Sequence, residues 1–335
     1  MMAAHNIALR TLAALMGSIV MAACAGESLS QDLPRLRLDK TIELGSVKGR
    51  IDHLVIDLKG SRLFVAELEN GSVSAVDLAT GAVAHRISGL AEPQGVGFLP
   101  DRNEVVVASG DGTVRFYDGG DLTVRGEIDL GEDADNVRID PTDGTIIVGY
   151  GGGALAVIDP SSRTLLRTIA LPSHPESFRL DPARRRAFVN LPGAGKLAVV
   201  DLATVQISAT RGAGYAANYP LLFDASSNAV MVVYRLPARI VISDADSGAV
   251  RQDLDVCGDS DDLFLDSKRH RIYVSCGSGD IDVFEAIDGA FKRVSRIKTR
   301  SGARTSLFVP ELDRLFVAAR ADNGRPAAIL VYRPE

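Results

Sequence analysis

The sequence predicts an all-β fold, a seven-bladed β-propeller with four-stranded blades, on three observations. First, seven valines (Val65, Val107, Val148, Val189, Val232, Val274 and Val317) recur at spacings of 42, 41, 41, 43, 42 and 43 residues. A fixed period of this size marks one supersecondary unit copied along the chain. Second, each valine lies in a short β-branched or aromatic run, such as Leu63-Phe-Val-Ala66 or Ile272-Tyr-Val-Ser275, bounded by Gly, Asp or Asn. Such runs read as strands. Third, a repeat of about 42 residues has room for four short strands, the content of one propeller blade.

The elements follow in order within each repeat. About ten residues before the valine lies an apolar first strand, as in His53-Leu-Val-Ile-Asp57 and Leu263-Phe-Leu-Asp266. The valine run is the second strand. A third strand follows and ends in an acid in six repeats: Asp77, Asp118, Asp159, Asp201, Asp244 and Glu285. Turns such as Asp77-Leu-Ala-Thr-Gly81 and Asp244-Ala-Asp-Ser-Gly248 come next. There the Asp side chain bonds nearby backbone and the Gly tolerates positive φ. A more polar fourth strand completes the unit. Six repeats are complete, and the seventh stops after its third strand. The segment from Arg35 to Leu44 matches the outer strands, above all Val124-Arg-Gly-Glu-Ile-Asp-Leu130, so the N-terminal strand is expected to close the last blade. Residues 35–335 are thus one expected domain, and a closed ring of this kind is expected to be monomeric.

Residues 1–24 differ in kind. Arg10 is their one fixed charge, and Leu12 to Ala23 is almost wholly small or apolar. The run is too short to span a bilayer and has the form of a secretory signal. Its end, Met21-Ala-Ala-Cys24-Ala, resembles a bacterial lipobox, so Cys24 is a candidate lipidation site beside ordinary cleavage. Either route implies export to the periplasm or cell envelope, with membrane contact only through a Cys24 lipid. In that oxidising setting Cys257 and Cys276, which bracket the first two strands of the sixth repeat, are a candidate disulfide; two unrelated core cysteines are the other reading. The net charge of −6, more negative by one unit without Arg10, and the lack of a dense Lys/Arg run argue against nucleic-acid binding. Arg184-Arg-Arg186 is expected to be a solvated turn. Thirty-two glycines suit a turn-rich β protein, and the absence of tryptophan argues against WD-type and tryptophan-docked quinoprotein propellers.

Thirteen residues before each valine stands a polar column: Asp52, Gln94, Asp135, Glu176, Tyr219, Asp261 and Arg304. Two residues later the position is nearly always apolar (Leu54, Val96, Val137, Phe178, Leu221, Leu263, Ser306). First strands line a propeller's channel, so the polar column is expected to ring one mouth. His53, Asn136, His174 and Asp262 are neighbouring candidates, with Glu92, Asn218 and Thr305 beside them. The column stays polar yet changes identity from blade to blade, as a site built from near-equal copies would. Four carboxylates at one mouth need a cation, Arg304, protonation or water. A divalent metal on Asp52, Asp135, Glu176 and Asp261 is one reading, and a solvated channel holding a small ligand is another. Strand starts that merely satisfy backbone groups are the third. No Walker loop, H-E-x-x-H or C-x-x-C occurs, no G-x-S-x-G accompanies Asp52-His53, and no catalytic residue is assigned. His85 and His270 fall at outer-strand and turn positions.

The second-strand signature, clearest in Tyr273-Val-Ser-Cys276 and Phe188-Val-Asn190, resembles the YVTN-repeat propellers of the YncE-like group. Pro93-Gln-Gly-Val96, Asp133-Ala-Asp-Asn-Val137, His174-Pro-Glu-Ser-Phe178 and Gly302-Ala-Arg-Thr-Ser-Leu307 also look like segments of that group. The resemblance spans roughly residues 45–335 and implies a seven-bladed propeller in the periplasm or at the envelope, without a set reaction. The expected function is a non-enzymatic exported propeller that binds a small ligand, metal or envelope protein at the channel mouth. A metal-dependent hydrolase of the lactonase type, using the mouth carboxylates with His53 or His174, is the alternative. A haem d1 or electron-transfer partner is the third class, because fold alone does not select among them.

Overall fold

The computed structural model describes residues 35–335. The leader assigned to residues 1–24 and the Cys24 lipidation site lie outside the described residues. Seven four-stranded antiparallel sheets surround a common axis. Blade 1 runs Leu54–Asp57, Arg62–Glu67, Ser72–Asp77 and Ala82–Ser88, from the channel outward. Blades 2 to 6 repeat that order. Blade 7 contributes Ser306–Val309, Arg314–Ala319 and Ala327–Pro334, and its outermost strand is Leu36–Gly45 from the other end of the described chain.

The valine period is the register of the fold. In every blade the valine is the backbone partner of the residue eleven positions before it: Leu54, Val96, Val137, Phe178, Leu221, Leu263 and Ser306. Four residues before each valine the chain turns through the left-handed region, at Ser61, Asn103, Gly144, Arg185, Asn228, His270 and Asp313. That single positive-φ residue sets the hairpin between first and second strands, and it fixes the offset of one strand against the other. The turns after the third strands form as their sequence implies: Asp77 Oδ1 accepts from Thr80 N at 2.8 Å, Asp244 Oδ1 accepts from Ser247 N at 2.8 Å, and Gly81 and Gly248 take φ of 70° and 75°.

The apolar core is divided into seven clusters, each shared by two neighbouring blades. Side chains alternate across a strand, so each sheet presents one apolar face to the blade before it and one to the blade after. Ile42 and Leu44 of the closing strand enter the cluster between blades 7 and 1, beside Leu54, Leu63 and Phe316. Polar contacts reinforce the seam. Arg37 Nε donates to Glu335 Oε1 at 2.8 Å, Arg314 pairs with Asp39 at 3.0 Å, and Arg271 Nη1 donates to the Glu335 carbonyl at 2.6 Å.

Two details refine the sequence reading. Arg184, Arg185 and Arg186 do form a turn, but they are not merely solvated: Arg186 pairs with Asp181 at 2.9 Å, and Arg185 reaches Asp140 of blade 3 at 3.2 Å. Cys257 and Cys276 are joined, with sulfurs 2.01 Å and Cα atoms 5.9 Å apart.

Closure through the N-terminal strand has a testable cost. Leu44→Ala should lower unfolding free energy by about 2–4 kcal/mol in urea denaturation, because the side chain is buried between two blades. Glu43→Ala, on the exposed face of the same strand, should stay within about 0.5 kcal/mol of the parent.

Candidate functional site

All seven column residues line one cavity of about 260 Å³ at a single mouth of the channel. Asp52, Gln94, Asp135, Glu176, Tyr219, Asp261 and Arg304 come from seven different blades. His53, Asn136, His174 and Asp262 line the same cavity. Glu92, Asn218 and Thr305 do not. Asn218 bonds Asn190 Oδ1 and the Lys196 carbonyl inside the protein, and Thr305 donates to the Ile51 carbonyl. His270 occupies a hairpin turn far from this mouth, and His85 is exposed on an outer strand.

Local backbone explains why neighbours such as Asp135 and Asn136, or Asp261 and Asp262, share the cavity. Regular pleating would send them to opposite faces. The ladder between first and second strands slips between Pro93 and Val96, between Ala134 and Val137, between Asn218 and Leu221, and between Ser260 and Asp262. These bulges fall at the column itself and re-aim its side chains. Blade 2 also passes unusually near blade 3, since a Cβ on Gly95 would lie 2.0 Å from the Asp135 carbonyl oxygen.

Charges are organised by pairing across blades. Arg235 Nη2 donates to Asp261 Oδ1 at 2.5 Å and its guanidinium lies 3.7 Å over the Tyr219 ring. Arg304 reaches Asp261 Oδ2 at 3.2 Å and donates to Asp259 at 2.9 Å. Arg50 donates to Asp52 at 3.1 Å. His53 of blade 1 meets Asp135 of blade 3 across the channel, Nε2 to Oδ1 3.4 Å. That contact is a charge pair without hydrogen-bond alignment, and Asp135 Oδ1 accepts from no donor among the described residues. His174 Nδ1 lies 2.6 Å from the Gly151 carbonyl, which can only accept, so the proton sits on Nδ1. Glu176 has no ion-pair or hydrogen-bond partner for its side chain among the described residues.

Proton affinities follow from this crowding. Burial, then the charges of Asp135, Asp261 and Asp52, push Glu176 up to about 8. Burial first, then Asp261, carries Asp262 to about 7 despite the opposing His53. Asp52 rises to about 6, through burial and Asp135, against His53 and Arg50. Burial opposes charge on His53, yet the carboxylates of Asp135 and Asp52 outweigh it and lift the imidazole to about 9. Asp135 moves the other way: burial would raise it, and His53 holds it below its ordinary value. Among the described residues no group of three or more His, Cys, Asp or Glu side chains is placed to hold a metal ion. Asp52, Asp135 and Asp261 are instead each engaged by a different cationic side chain, and Glu176 by none.

The fold has a wide distribution, with 1835 matching solved chains. One is a chain of Kuenenia stuttgartiensis Hydrazine Synthase, with a TM-score of 0.70 and 17% identity over 82% of this chain and 95% of that one. The likeness is one of propeller architecture. No protein-family model and no curated protein matches the sequence.

Four further residues line the cavity: Arg50, Asp133, Ser177 and Arg235. Arg50 and Asp133 stand two positions before the column, like His174, and Ser177 stands one after it, so extending the alignment by those offsets finds them. Arg235 arrives from the end of a second strand and belongs to neither offset.

Stability should fall as pH rises from about 5 to 9. Glu176 ionises near 4.5 when unfolded and near 8 when folded, and His53 loses its proton near 6.5 unfolded and near 9 folded. The folded state therefore holds more protons across that window, and the stabilisation present at its acid end is lost as pH climbs through the folded values. Melting temperature against pH should show this decline, and Glu176→Gln should flatten it. In NMR titration His53 should titrate near 9 and shift down in Asp135→Asn; a value near 6.5 in the parent would contradict the pairing.

Proposed function

We propose that this protein is an exported, non-enzymatic binding propeller of the YVTN-repeat, YncE-like kind, and that its channel mouth binds a small polar ligand bearing positive charge. The observation that carries the reading is Glu176. Its carboxyl has no arginine of its own, and burial together with the charges of three other acids keeps a proton on it at neutral pH. A ligand ammonium or similar cation would replace that proton and relieve the repulsion. Gln94, Asn136, His174 and Tyr219 add polar groups that can fix orientation. Arg235 and Arg304 are already paired with Asp259 and Asp261, so they favour no anion there. The period of the valines and the second-strand motif support the family reading. The leader-like residues 1–24 support export.

A hydrolase of the lactonase type would need several carboxylate or imidazole ligands gathered on one metal. The pairing of Asp52, Asp135 and Asp261 with separate cations favours the binding reading over it.

Calorimetric titration with small organic amines should give one-to-one binding that tightens from pH 6 to pH 9. Near pH 7 the apparent enthalpy should vary with buffer ionisation enthalpy, reporting release of the Glu176 proton. Glu176→Gln should weaken binding about tenfold or more, the loss of one charge-assisted hydrogen bond. Preference for anionic ligands, or binding without proton release, would contradict the reading. Stoichiometric divalent metal in purified protein that disappears in Glu176→Ala and Asp135→Ala would replace the organic cation with a metal ion.

A further inference from the structure

Three residues beyond the polar column, each first strand places another residue on the channel wall. These seven positions are Val55, Gly97, Arg138, Arg179, Leu222, Phe264 and Leu307, and all seven line a second cavity of about 360 Å³. His53 and Asp262 line both this cavity and the one at the mouth, so they stand between the two. The second ring is unlike the first. It is apolar except for two arginines on adjacent blades, 3 and 4.

Those arginines are unusual in this protein. The arginines of the mouth and of the closing seam pair with carboxylates. Among the described residues neither Arg138 nor Arg179 makes an ion pair. Arg138 donates to the Val137 carbonyl at 2.7 Å and to Asn136 Oδ1 at 2.9 Å. Arg179 donates to Ser177 Oγ at 3.2 Å and to the Phe178 carbonyl at 3.0 Å. Every one of these acceptors is neutral and lies within two residues of its donor. The contacts hold the guanidiniums in place, with Arg138 5.5 Å from the Phe178 ring centroid, but leave their charge unbalanced. Asp262 is the one acid on the cavity wall; its charge acts on both arginines from a distance, but it forms no ion pair with either. It is pushed up to about 7, chiefly by burial, so at neutral pH it is only partly ionised. Burial and then the charge of Arg179 weaken the hold of Arg138 on its proton. A guanidinium keeps its proton at neutral pH regardless, so the strain is relieved by a counter-anion.

The apolar members are placed to receive the remainder of such an anion. In a ring of seven, blade 7 faces the gap between blades 3 and 4. Leu307 of blade 7, with Phe264 and Val55 on its two sides, thus lies across the channel from the blades that carry the two arginines. Leu222 adjoins Arg179 on blade 5, and Gly97 leaves blade 2 without a side chain in the cavity.

We infer that this second ring is a binding site for a small organic anion with an apolar body: its acid group bridges Arg138 and Arg179, and its hydrocarbon part packs on Val55, Leu222, Phe264 and Leu307. Two guanidiniums on adjacent blades of one cavity can each donate to one oxygen of a carboxylate. The apolar wall opposite excludes a fully hydrated ion such as inorganic phosphate and favours a molecule that buries hydrocarbon. This site differs in place and in ligand charge from the mouth, and either can fail without the other.

The test uses the purified full chain and four probes in calorimetry: octanoate, octanamide, acetate and inorganic phosphate. Octanoate should bind at one per chain. Octanamide, lacking the charge, should bind about tenfold or more weakly, and so should acetate, lacking the hydrocarbon. Arg138→Gln and Arg179→Gln should each weaken octanoate about tenfold or more, while Arg125→Gln, an equal charge loss on an outer strand, should leave it unchanged. Without ligand, the double variant should melt at or above the parent temperature, because two like charges leave the channel. Arg138→Lys keeps the charge and should retain part of the affinity, which separates charge from folding. Equal binding of octanoate and octanamide would overturn the inference. So would phosphate as the preferred anion, unchanged affinity in both glutamine variants, or no octanoate binding at millimolar concentration.

Discussion

Backbone pairing between Leu36–Gly45 and Ala327–Pro334 holds the ring shut, and both cavities exist only because it does. Each blade buries its faces against two neighbours, so a ring with one open seam would leave the apolar faces of blades 7 and 1 in water. Ile42 and Leu44 prevent this by completing the cluster those blades share. The seam joins residues about 290 apart in sequence, which makes it the contact of highest loop-closure cost. The ion pairs of Arg37 and Arg314 lie at its surface, where screening by water limits their contribution. Closure therefore rests on ladder hydrogen bonds and buried hydrocarbon.

Once the ring is closed, sevenfold copying becomes chemistry. A residue thirteen positions before a valine is led to the axis in every blade, whatever its type. The scaffold positions tolerate little variation in character, as the fully buried second strands illustrate. The axial positions carry no packing duty and so carry charge. Bulges in the first strands of blades 3 and 6 bring Asn136 and Asp262 to the mouth beside Asp135 and Asp261. The result is more acid than the local cations balance, and burial together with that surplus leaves a proton on Glu176. Three residues deeper the balance reverses, with two arginines in an apolar collar. The channel is thus polarised along its axis, acid-rich at the mouth and basic below.

The period exposes the blades, the closing strand and the polar column because each is a matter of spacing, and spacing survives in a single sequence. The valine partners Leu54 through Ser306 and the left-handed turn four residues before each valine obey the same count. What spacing does not carry is partner choice. That His53 meets Asp135, skipping blade 2, depends on the width of the channel and on bulges that break strict alternation. Arg235 escapes notice because it enters from a second strand, outside the column and its neighbours. The grouping of Asp52, Asp135, Glu176 and Asp261 as one metal set follows from counting carboxylates at a common mouth. The pairing of Asp52 with Arg50, of Asp135 with His53 and of Asp261 with Arg235 and Arg304, which leaves Glu176 alone, is a property of side-chain reach, visible only in three dimensions.

The central claim is that the axis brings together side chains from blades that are not neighbours. A double-mutant cycle on His53→Gln and Asp135→Asn, measured by urea denaturation at pH 7, tests it most directly. Residues on blades 1 and 3 can couple only through the channel, and the interaction energy should be about 1 kcal/mol or more. Additivity within about 0.3 kcal/mol would place the two side chains apart and contradict the convergence.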